Sequence, residues 1–216
     1  MNKVCTLLGT IPLAALLAGC DWSSPNVKLE STLNPVQKLK EASTITIEER
    51  VLNLGKDYNI IVGGEKVATV SGKDINVIGG DVFTLTTVDG QVLASEKEHA
   101  RFLSLSRTAL CYDKQGTLTG YIGEETLKDF FSLSYVFHFY DANKQELGTS
   151  RKLGKSSFNR HKLYDTQGNA DYDIDKHFSL VGDTYTLTVL DKESAIPLTS
   201  AIFMVCIEDV IGDSHK

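Results

Sequence analysis

Five turn signals recur along this chain at nearly even spacing. Gly63-Gly64, Asp89-Gly90, Gln115-Gly116, Asn143-Lys144 and Gln167-Gly168 each separate two short runs in which apolar and polar residues alternate. Their second residues lie 26, 26, 28 and 24 residues apart. Period-two alternation reads as strand. Gly-Gly or Asp-Gly between two such runs reads as a hairpin, because a type I′ turn needs positive φ at both central residues. The repeating unit is therefore one hairpin. A first strand over residues 45–52 and a last over 184–190 bring the count to twelve. Twelve antiparallel strands in one sheet curl, and closing the sheet removes its exposed edges. The expected fold is mainly β, a twelve-stranded closed antiparallel β-barrel.

The alternation assigns faces. Tyr185, Leu187 and Val189 point one way, and Thr184, Thr186 and Thr188 the other. Leu133, Tyr135, Phe137 and Phe139 form a similar inward row.

After the last strand the pattern breaks. Ile196, Leu198, Ala201, Ile202, Phe203, Met204, Val205, Cys206, Ile207, Val210 and Ile211, placed on a helix, leave no angular gap wider than about 60°. That is not the stripe of an amphipathic surface helix. It is not a membrane span either: about 20 apolar residues are needed, and Glu208 and Asp209 interrupt the run. The remaining solution is a C-terminal hydrophobic helix over 195–211 enclosed by protein. A twelve-stranded barrel has the room, since eight strands are only just filled by their own side chains. Ser194 is the expected N-cap, with Pro197 in the first turn.

The N-terminus is a targeting signal. Lys3 precedes an apolar stretch over 7–17, too short to span a bilayer. Leu17-Ala18-Gly19-Cys20 then resembles the lipobox of bacterial lipoproteins, which implies removal of residues 1–19 and acylation of Cys20, with palmitate among its chains. More than one chain suffices for stable anchoring. Asp21 resembles an inner-membrane retention signal. Residues 20–43 read as the lipidated cysteine and a polar tether, with a short helix near 36–42. The barrel follows over 44–211, then a tail over 212–216. Loss of Lys3 leaves 21 basic against 28 acidic residues, a net of −7, which argues against a nucleic-acid partner. In the body, Cys111 and Cys206 read as two buried free thiols rather than a disulfide.

Three stretches carry a family resemblance. They are Ile47-Glu48-Glu49-Arg50-Val51-Leu52-Asn53-Leu54-Gly55-Lys56-Asp57-Tyr58, then Phe83-Thr84-Leu85 leading to Asp89-Gly90, then Cys111-Tyr112-Asp113 leading to Gln115-Gly116. The ending, Gly182-Asp183-Thr184-Tyr185-Thr186-Leu187 followed by the helix through Ile207-Glu208-Asp209, adds to it. Their order and spacing resemble the tubby C-terminal-like superfamily, in its LURP-one-related branch with phospholipid scramblases as cousins. The resemblance covers about residues 45–211. It implies a twelve-stranded barrel around a central hydrophobic helix, and a function in lipid binding or lipid movement, without a ligand site that maps residue by residue.

Gly148 to Gly154 looks like a phosphate loop, but five residues separate the glycines where a P-loop has four. Arg151, Lys152, Lys155, Arg160 and Lys162, with His161, form an acid-free run of charge +5. Two readings stay open: a patch for anionic lipid headgroups, or a solvated hairpin whose charges discourage edge pairing. Asp171, Asp173 and Asp175 share one strand face. They are a weak calcium alternative; the preferred reading is an outward polar face with Tyr172 and Ile174 inward. His99, His138, His161, His177 and His215 show no zinc spacing, and no G-x-S-x-G or C-x-x-C occurs. No catalytic group and no cofactor follow. The expectation is a lipid-anchored envelope lipoprotein on the periplasmic face, inner membrane favoured, acting as a non-catalytic binding module for anionic lipid or an envelope protein. The alternative is a lipid-moving activity, or an enzyme with its site at the barrel mouth.

Overall fold

Twelve strands close on themselves in the computed structural model, which describes residues 33–50, 56–73, 82–99, 108–125, 136–152, 160–179 and 182–213. They are β1 Thr44–Glu49, β2 Asp57–Val62, β3 Glu65–Lys73, β4 Val82–Thr87, β5 Val92–His99, β6 Thr108–Asp113, β7 Leu118–Glu125, β8 Val136–Asp141, β9 Glu146–Lys152, β10 Arg160–Asp165, β11 Ala170–His177 and β12 Thr184–Val189. Each pairs antiparallel with its neighbours in sequence, and β1 pairs with β12 to shut the barrel. A helix α1, Pro35–Glu41, precedes the barrel, and a helix α2, Leu198–Asp213, follows it. All these elements lie in one unit, Leu33–Lys216.

The two ends of the barrel differ in their connections. Tight turns of two to four residues join β2 to β3, β4 to β5, β6 to β7, β8 to β9 and β10 to β11, all at one end, the turn end. The strand ends joined by the other connections, of six to ten residues, form the opposite end, the loop end. The type I′ expectation holds only at Gly63-Gly64, where φ is +60° and +82°. At Asp89-Gly90 it is corrected, and the three later turns share that turn's geometry. Each has one positive φ, at Gly90, Gly116, Lys144 and Gly168, and a register shift in the strand before it. That is a type I turn closed by a bulge. The cause is local. Asp113 Oδ1 accepts from the Gln115 and Thr117 N–H groups at 2.9 and 2.8 Å. Asp141 and Asp165 do the same for their own turns. The side-chain oxygen two positions ahead of the turn thus sets its geometry: an aspartate in the three later turns, and in the first the Thr87 hydroxyl, which accepts from Gln91 N–H at 3.0 Å.

α1 docks at the turn end. Asn34 caps it through Gln37 N–H at 2.8 Å, and Pro35 opens its first turn. Leu39 is buried in the core and Lys38 reaches Glu65 at 2.6 Å. The short helix expected over 36–42 is therefore present. Of the expected inward rows, Phe137 and Phe139, and Tyr185 and Leu187, are buried, and the structure adds Ile45 and Ile47, Tyr58 and Ile60, and Phe83 and Leu85. Val189 is only partly buried. Leu133 and Tyr135 lie outside the described residues, as do 51–52 of the first expected strand. The signal peptide, Cys20 and Asp21 lie outside them too.

α2 enters at the turn end and runs up the interior. Ile202, Phe203, Val205 and Cys206 have no exposed surface, and Ile207 is buried. Each large apolar side chain so buried contributes about 1.5–3 kcal/mol. The helix starts at Leu198, later than expected. Pro197 disfavours helical geometry at Ile196, so Pro197 lies outside the helix and its carbonyl accepts the first helical N–H groups, from Ser200 and Ala201. Ser194 is consequently not the N-cap. Its hydroxyl accepts from Ile196 N–H at 3.0 Å and donates to Asp171 Oδ2 at 2.5 Å. Tyr172 donates to the Ile196 carbonyl at 2.8 Å, fixing the entry of the helix into the barrel. Cys111 and Cys206 are buried free thiols, as expected. Burial, then the charge of Glu96, pushes Cys111 up to about 12. Burial likewise raises Cys206.

Candidate functional site at the loop end

The strongest concentration of charge among the described residues sits inside the loop end. Its centre is Asp209, in the last turns of α2 and essentially without exposed surface. Four donors converge on it. Tyr185 OH lies 2.5 Å from Oδ1 and Tyr58 OH 3.0 Å from Oδ2. Lys176 Nζ is 3.1 Å from Oδ1 and Lys56 Nζ 3.3 Å from Oδ2. Two further carboxylates complete the network: Glu49 holds Lys56 at 2.6 Å, and Asp183 holds Lys176 at 2.7 Å. Glu49 Oε2 also accepts from the Asp183 N–H at 3.2 Å.

Strand parity places these groups. Ile45, Ile47 and Glu49 share the inner face of β1, so its last inward residue is an acid. Tyr58 and Tyr185 are the first inward residues of β2 and β12. Lys176 follows Tyr172 and Ile174 on β11. Four strands, and Lys56 just before β2, therefore deliver polar groups to one level, where the helix supplies its acid. The electrostatics follow from burial. Tyr58 and Tyr185 are raised far above the ordinary phenol range, first by burial and then by nearby negative charge, Asp209 included. Burial pulls Lys176 down, but Asp183 and Asp209 outweigh it and hold the ammonium above its usual value. A buried charge without partners costs several kcal/mol; here each one has partners.

Glu49, Asp183 and Asp209 offer oxygens within 4.8 Å of one another, a spacing a divalent cation accepts. Lys56 and Lys176 already bridge them. The arrangement is a closed ion network that fixes the end of α2 to β1, β2, β11 and β12. A second contact does the same at the neighbouring strand. His161 Nε2, on β10, lies 2.7 Å from Glu208 Oε1.

The basic run does not form one outward patch. His161 is 3% exposed and points into the barrel. Arg160 reaches across to β11, with Nε and Nη2 at 2.9 and 2.5 Å from the two oxygens of Asp173. Its Nε is 3.4 Å from Asp175, and Lys162 is 3.6 Å from Asp173. Arg160 first of all holds the Asp173 carboxyl below the usual range. The register pairs Arg151 with Lys162 and Lys152 with His161; the side chains of Arg151 and Lys152, and all of Lys155, lie outside the described residues.

The three aspartates of β11 are divided among different partners. Asp173 and Asp175 bind Arg160, while Asp171 is buried against Ser194. Burial raises the Asp171 carboxyl, partly offset by that hydrogen bond. Tyr172 and Ile174 are inward, and Asp171 and Asp173 are covered rather than solvated.

Six of the seven network residues stand in the stretches that carry the family resemblance, Lys176 being the exception, but nothing in the sequence groups them as one site. The available signal was parity: a charged residue continuing an inward row at the end of a strand, as Glu49 and Lys176 do. Comparison with protein-family models, with curated proteins and with solved structures finds no match to this chain.

Proposed function

We propose that this chain is a lipid-anchored protein of the bacterial envelope, with a tubby-like barrel as its body, working as a binding module without chemistry of its own. The observation that carries this reading is the use of the interior. α2 fills the barrel with side chains of no exposed surface, and the charged groups at the loop end are spent on holding that helix. Recognition then falls to the exterior. The anchor itself rests on the lipobox-like Leu17-Ala18-Gly19-Cys20. The twelve-stranded barrel around a helix agrees with the architecture that the tubby-like resemblance implies. α1 is held at the turn end by Lys38–Glu65 and by a Lys192 bond to the Glu41 carbonyl at 3.0 Å.

For the ligand, anionic headgroups are the reading to test, through Arg151, Lys152 and Lys155; Arg160 and Lys162 are committed to Asp173. Two measurements decide. Labelled palmitate should enter the full chain in a bacterial host and be lost with Cys20→Ala; incorporation that survives the substitution removes the anchor. The body from residue 21 onward should float with vesicles containing anionic phospholipid at low salt, less so at high salt. It should not float after Arg151→Glu, Lys152→Glu and Lys155→Glu together. Flotation of neither protein removes the headgroup reading and leaves an envelope protein as the partner.

A further inference from the structure

We draw no further inference here: the strongest candidate, the Glu49, Asp183 and Asp209 carboxylate cluster inside the loop end of the barrel, is an acidic cluster already bridged by Lys56 and Lys176, with no second observation among the described residues that points to a bound cation.

Discussion

At the turn end, Asp113, Asp141 and Asp165 each bind backbone N–H groups two and four residues further along the chain. At the loop end, Asp209 binds Tyr58 and Lys56 across separations of 151 and 153 residues, and Tyr185 and Lys176 across 24 and 33. The same residue type thus does two different jobs. A turn aspartate shapes its own hairpin and stays exposed or half-buried, so water can replace part of what it loses. Asp209 joins four elements and has no access to water, so its partners depend on it entirely. One end of the barrel is held by local backbone geometry, repeated four times with small variations. The other is held by a single network that exists only once the barrel has closed around its helix.

The largest expected effect tests that asymmetry directly. Asp209→Ala leaves two ammonium groups and two buried phenols without their shared acceptor, and should cost about 3–5 kcal/mol. Asp113→Ala, at the turn end, should cost about 1 kcal/mol. Urea midpoints of the two variants measure the contrast. Equal losses would show that the loop-end network contributes no more than a surface turn.

Alkaline pH should come next in size. Cys111 is raised from 9.0 to about 12, so its neutral form stabilises the fold. That contribution is fully present below about pH 9, where the unfolded thiol is still protonated, and is lost as pH rises towards 12. Tyr58 and Tyr185 add to the loss above about pH 10, their unfolded value. Tyrosinate absorbance from these two should therefore rise together with the loss of circular dichroism. Their ionisation in a still-folded barrel would show that the loop end admits water.

A smaller loss is expected at Gly148, on β9 near the entry of α2. A Cβ there meets the Tyr164 carbonyl and comes within 2.8 Å of Ile196 Cδ1. Gly148→Ala should cost about 1–3 kcal/mol by overpacking, read as a fall in melting temperature. An unchanged value would mean that the wall shifts freely at the helix entry. The smallest effect has the opposite sign. Lys144 adopts φ +66° where the equivalent turns have glycine. Lys144→Gly should stabilise by about 1 kcal/mol through relief of the left-handed conformation. A loss of stability there would indicate that the Lys144 contact with the Tyr121 ring, at 6.0 Å, outweighs the strain.

The fold was readable because its signals are local. Asp89-Gly90, Gln115-Gly116 and Gln167-Gly168 mark their turns within four residues, and alternation such as Tyr185-Thr186-Leu187-Thr188 assigns a face without reference to any other strand. The turn type is not legible from the glycine alone, since the turns with one positive φ instead carry a side-chain acceptor two residues ahead of the pair, Asp113, Asp141, Asp165 or Thr87. The apolar run of α2 excluded a surface helix by its angular spread, and its length excluded a membrane span. That helix starts at Leu198, three residues later than its apolar spacing implies, because Pro197 acts on the residue before it.

The candidate site was less legible for the converse reason. His161 stood in a run of cations and was grouped with them, yet it lies one residue out of phase with Arg160 and Lys162, and a strand sends such neighbours to opposite faces. Arg160 looked like part of an unbalanced patch because its counter-charge, Asp173, lies thirteen residues away on the adjacent strand.

The sequence by itself determined twelve strands, their hairpins, their inward faces and the enclosed helix, since each follows from residues within one or two turns of one another. Only the tertiary structure decided which charges are neutralised and where they gather. Register across the barrel wall and the depth of α2 set those distances, and neither is encoded in the spacing of neighbouring residues.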